Sequence, residues 1–76
     1  MQIVQSVVLD NSKFNLEQAA NWIMRNNFKI KKIDATKSSF RFRQISPTTL
    51  RKKGYNNYKT VKAIEGVNLI IAFTEA

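Results

Sequence analysis

Lys29-Ile30-Lys31-Lys32-Ile33-Asp34-Ala35-Thr36-Lys37-Ser38-Ser39-Phe40-Arg41-Phe42-Arg43-Gln44-Ile45 is the stretch that decides the fold. Both halves alternate apolar and charged residues, the period of a strand with one buried face. Thr36-Lys37-Ser38-Ser39 between them is turn chemistry. A two- or four-residue loop sets Ala35 opposite Phe40, Ile33 opposite Phe42, Asp34 opposite Arg41 and Lys32 opposite Arg43. One face then carries Ile33, Ala35, Phe40 and Phe42, and the other Lys32, Asp34, Arg41 and Arg43. A three-residue loop would slip the register and mix the faces. The expectation is strands over Lys29–Ala35 and Ser39–Ile45, with one apolar and one cationic face.

Outward from that hairpin, residues 2–9 read as a strand apolar on both sides, hence central. A helix follows at about 16–26. Asn15 is its N-cap, Gln18 completes a capping box, and Phe14 sits at N′. Leu16, Ala19, Ala20, Ile23 and Met24 recur at helical spacing as its buried stripe, with Trp22 at the edge. Asn27 suits the left-handed position past the end, which folds Phe28 back on Ile23. Ser46-Pro47 opens a short helical turn through Lys53, with Gly54 beyond it. Tyr58–Ile64 and Val67–Phe73 are strands joined by a tight turn at Glu65-Gly66. The expected class is α+β: a mostly antiparallel sheet of about five strands, one amphipathic helix on one face, in a single domain over 1–76.

The chain has 76 residues, 43% of them hydrophobic, with neither Cys nor His. Disulfides and Cys or His zinc sites are therefore excluded. The apolar run Leu69–Phe73 is too short to span a bilayer. No targeting segment is expected, because Met1 to Leu9 lacks a basic start. Catalysis finds little support. Asp10, Glu17, Asp34, Glu65 and Glu75 share no predicted face at acid/base spacing, and no Gly-rich phosphate loop exists. Neither enzyme activity nor a cofactor is expected.

Charge is the strongest signal. The net charge is +8, and twelve of the thirteen Lys and Arg lie from Arg25 to Lys62, against one acid, Asp34. Such a field concentrates polyanions. Lys32 facing Arg43 is a like-charge pair, destabilising alone. Asp34 facing Arg41 is expected to offset part of this, and an anion bridging Lys32 and Arg43 would convert the repulsion into a contact. Arg51-Lys52-Lys53 before Gly54-Tyr55-Asn56-Asn57-Tyr58-Lys59 forms a second candidate, a mobile basic loop. Phosphates would meet its cations and a base would stack on Tyr55, while Tyr58 packs on the core. The candidate nucleic-acid-binding residues are thus Lys32, Arg41, Arg43, Arg51, Lys52, Lys53, Tyr55 and Lys59. Solvated, splayed side chains are the competing reading of the same charge.

The element order and Ser39-Phe40-Arg41-Phe42-Arg43 are similar to the RNA-recognition-motif fold. Three departures count against it: a second helix that is too short, missing motif glycines, and a register that sends Phe40 and Phe42 to the core. Trp22-Ile23, Asn27-Phe28-Lys29, Asp34-Ala35-Thr36, Arg41-Phe42-Arg43-Gln44 with Pro47, Tyr58-Lys59-Thr60 and Gly66-Val67 together resemble a different family. It is a small, largely uncharacterised domain of tailed phages and large DNA viruses that sometimes precedes head-maturation protease domains. The resemblance runs from about Ser6 to Phe73, with Arg51 to Gly54 outside its pattern. It implies a viral origin, a virion or DNA-packaging setting, and no catalytic residues. The expected function is non-specific nucleic-acid binding in host cytoplasm or virion. The alternative is a virion component or inhibitor docking on an acidic protein. No membrane partner is expected, and an exposed sheet edge invites a homodimer.

Overall fold

A computed structural model describes residues 1–74. The chain runs β1 (Gln2–Asp10), α1 (Leu16–Arg25), β2 (Lys32–Ala35), β3 (Ser39–Arg43), α2 (Pro47–Lys52), β4 (Asn57–Ile64) and β5 (Val67–Phe73). The five strands form one sheet in the order β2-β3-β1-β5-β4, and every neighbouring pair is antiparallel. This is the α+β architecture expected, with β1 at the centre.

The hairpin register is the expected one, with Lys32 opposite Arg43 and Ala35 opposite Phe40. The Thr36 amide closes the turn on the Ser39 carbonyl at 2.8 Å. Asn11 holds its tip, donating from its backbone to Ser38 and from its side chain to Lys37. The strands are shorter than their alternation predicts. Gln44 is the reason on the β2 side. Its side-chain oxygen accepts from the Lys29 amide at 2.7 Å and its nitrogen donates to the Lys29 carbonyl at 2.8 Å. A side chain thus stands where a backbone ladder was expected, and β2 begins only at Lys32.

α1 begins as expected. The Asn15 side chain accepts from the Gln18 amide at 2.8 Å, and Gln18 returns the bond to the Asn15 amide at 2.9 Å. It ends on Asn27 at φ 61, with the Phe28 amide bonded to the Ile23 carbonyl. Its buried stripe is rotated from the expected one. Ala19 and Ile23 are fully buried, and Trp22 packs against the core, stacked on Phe28 at 6.1 Å. Leu16 and Met24 remain 49% and 60% exposed. Under α1 lie Val7, Leu9, Phe42 and Val67, all fully buried.

The opposite sheet face is not left entirely open. Ser6 and Ala72 point there and are both fully buried. Leu50 of α2 is also fully buried and lies outside the α1-side cluster. Ser46 caps α2, its Oγ accepting from the Thr48 amide, and Pro47 occupies the first turn. Gln5 is the extra residue of a β1 bulge, since Val4 pairs with Ile71 and Ser6 with Ile70. Its carbonyl accepts from both Gln44 and Ile45 amides, and its side chain bonds the Ile45 carbonyl and the Ser6 hydroxyl. This buried polar node ties the start of β1 to the chain leading into α2.

Candidate nucleic-acid interface

Lys32, Arg41 and Arg43 share the sheet face opposite α1, because each alternates with a residue of the core side along its strand. Asp34 does not take the partner expected of it. Its carboxylate lies 3.6 Å from Arg43, diagonally across the hairpin, rather than on Arg41. It thereby sits beside the Lys32–Arg43 pair and relieves that repulsion. Arg41 is left exposed, with no carboxylate partner among the described residues.

The cationic field is wider than the alternation shows. Since β2 begins at Lys32, the preceding Lys29 and Lys31 are free of the strand period that would have turned them to the α1 side. With Lys32 and Arg43 they ring a groove of about 520 Å³, completed by Gln44, Ile45 and Ser46. Lys29 and Lys31 are the site residues that the sequence reading missed. The lysine run itself was the available signal, and Gln44 is what pins it in place. Ser46 also caps α2, the short element that carries Arg51, Lys52 and Lys53. Arg51 and Lys52 lie within the helix rather than in a mobile loop, and Lys53 is its C-cap. All three are exposed.

Two expected members stand apart. Lys59 is paired with Ile71 on the α1 side of the sheet, and its ammonium lies 5.6 Å from the centre of the Phe73 ring. It does not join the face of Lys32, Arg41 and Arg43. The tyrosines exchange roles. Tyr55 is half-buried, its hydroxyl donating to Met1 Sδ at 3.9 Å, whereas Tyr58 is 45% exposed. Phe42 is fully buried and Phe40 half-buried on the α1 side, so neither offers a ring to a base.

Carboxylates are placed unevenly. Glu65 bonds Lys62 at 2.6 Å and Lys13 at 3.2 Å, and these contacts hold its carboxyl below the usual range. Asp10 is likewise lowered, chiefly by the Ser12 amide and then by the Ser12 hydroxyl. Glu75 lies outside the described residues. Among the described residues, only Lys13, Arg43 and Lys62 have carboxylate partners. The end of the sheet at Glu65 is therefore internally balanced, and the Lys29–Ser46 end is not. No three metal-ligating side chains come together among the described residues, and no helix there is long and apolar enough to cross a membrane.

No family profile, curated protein or solved structure matches this chain.

Proposed function

We propose that this protein binds nucleic acid through its phosphates, without sequence preference, and performs no catalysis of its own. The observation that carries the reading is the groove ringed by Lys29, Lys31, Lys32 and Arg43, with one carboxylate, Asp34, among four cations. Uncompensated charge of this density is costly alone and favourable against a polyanion. Arg41 on the adjoining face and Arg51, Lys52 and Lys53 on α2 extend it. Phosphate contacts fix register on the backbone and carry no sequence information. A virion or infected-cell setting belongs to the same proposal and rests on the sequence resemblance described above.

Charge reversal at Arg41 and Arg43 tests the reading. Wild type is expected to retain labelled DNA or RNA in low-salt filter binding, and Arg41→Glu/Arg43→Glu to lose it. Retention by wild type that does not depend on salt would refute the proposal. A second reading, docking on an acidic protein, draws on Ile30 and Ile33, which are both 39% exposed close to the same lysines. It predicts co-purification with a protein at fixed stoichiometry. The homodimer reading concerns β4, the long unpaired edge, and predicts a concentration-dependent mass in sedimentation.

A further inference from the structure

On the sheet face that carries Arg41, three central strands set Arg41, Val8 and Asn68 in one row, as direct cross-strand partners. Beside this row lies a depression of about 270 Å³, lined by Val8, Asp10, Ser38, Ser39 and Asn68. α2 contributes nothing to it.

Two side chains here make no hydrogen bond or ion pair among the described residues. Asn is depleted in strands, yet Asn68 sits inside β5, in Val67-Asn68-Leu69-Ile70-Ile71. Its exposed amide makes no hydrogen bond among the described residues. Arg41 is equally unpartnered, since Asp34 turns to Arg43. Neighbouring strands stand about 4.8 Å apart, so Arg41 and Asn68 flank Val8 with about 10 Å between their backbones.

The lining selects the ligand. Val8 offers a small apolar surface, while Ser38, Ser39 and Asn68 offer hydrogen-bonding groups at its sides. Asp10 is ionised at neutral pH and disfavours a phosphate at this end of the face. A flat group with apolar faces and a polar edge meets all three conditions. A nucleobase is such a group, and a guanidinium packs well against its face.

Resting on the nucleic-acid reading above, we propose that the Arg41–Val8–Asn68 row seats one unstacked base of a single strand. The phosphates of that strand lie at Lys32 and Arg43, which form the adjacent row. Two residues along a strand separate the rows, about 7 Å. That is within the reach of one nucleotide from its phosphate to its base. A duplex keeps its bases stacked and paired and leaves the seat empty.

The test compares a labelled single-stranded oligonucleotide with a duplex of the same length, by fluorescence anisotropy at 50 and 200 mM salt. Asn68→Val suits the strand and retains the fold. It is expected to weaken single-strand binding by about five- to tenfold, the effect of one or two hydrogen bonds. The salt slope and the duplex affinity should stay unchanged. A 2-aminopurine in the single strand should brighten on binding wild type and less so with Asn68→Val. Arg41→Gln should reduce both affinity and slope. Equal single-strand affinity for wild type and Asn68→Val, or an equal loss on duplex, overturns the seat and leaves the phosphate groove standing. Failure of wild type to bind either nucleic acid at 50 mM salt overturns both.

Discussion

Removing Lys31 and Lys32 together should halve the groove's share of the salt dependence of DNA binding. Four cations ring the groove, and each phosphate neutralised on a duplex contributes about −0.9 to the slope of log K against log salt. With all four engaged the groove contributes about −3.6 to the slope, a fall of roughly 150-fold in affinity between 50 and 200 mM salt. Lys31→Ala/Lys32→Ala leaves two of the groove's contacts, a contribution of about −1.8 and a fall of about 12-fold. Neither lysine makes an ion pair among the described residues, and both are exposed. The substitution also removes the like-charge pair of Lys32 with Arg43, so Tm should hold or rise. Anisotropy titrations of a labelled duplex at four salt concentrations give the slope, and circular dichroism verifies the fold. A folded variant with the wild-type slope would place the phosphates elsewhere and refute the groove.

Other perturbations probe the same construction. Asp34→Asn removes the one carboxylate beside the groove, so binding at low salt should tighten while the slope stays the same. Thermal unfolding should show Tm lower by a few degrees, because the Lys32–Arg43 repulsion is no longer relieved. Gln44→Leu deletes both bonds to the Lys29 backbone and should cost about 1–2 kcal/mol in urea unfolding. Hydrogen exchange at the Lys29 amide should accelerate, with weaker DNA binding as Lys29 and Lys31 lose their placement. Gly66 lies at φ +85, and an added Cβ there would meet Lys13 Cδ at 2.8 Å and Phe14 Cε1 at 3.1 Å. Gly66→Ala should therefore cost at least about 1–2 kcal/mol, read as a drop in Tm. Asp10 and Glu65 both have depressed folded-state pKa values, so their stabilisation is full above the unfolded carboxylate range. Tm should be flat from pH 7 to 5 and fall as acid titrates both groups below about pH 4. Asp10→Asn/Glu65→Gln should flatten that fall.

Much of the fold was legible because its signals are local and periodic. The β2–β3 register followed from alternation with only one loop parity allowed. Asn15, Gln18 and Asn27 announced both ends of α1 by chemistry that no other position needs. The rotation of α1 was not legible, since Leu16 and Met24 extend the same helical pattern as Ala19 and Ile23. Trp22, stacked on Phe28, takes the room beside the core and turns them outward. The start of β2 was missed because Gln44 pairs with Lys29 through its side chain, and such pairing has no period. That one substitution of side chain for ladder moved Lys29 and Lys31 into the site. Tyr58 and Lys59 were misjudged because their faces depend on how β4 aligns with β5. A hairpin turn fixes the first pair of that alignment, but the irregularity between Lys62 and Ile64 then displaces the rest.

β4 is the outermost strand, eight residues long, exposed from Tyr58 to Ile64 and free of proline. Tyr58, Val61 and Ile64 make it adhesive, and Lys59, the one cation of β4 without a carboxylate partner among the described residues, is its guard against a second copy. That guard acts through like charge, so it works only while the molecule remains cationic. A long polyanion that gathers many copies cancels this deterrent just where the copies are most crowded. Occupancy along a strand should then rise more steeply than independent sites allow, with neighbours held by their margins as well as by the thread beneath them.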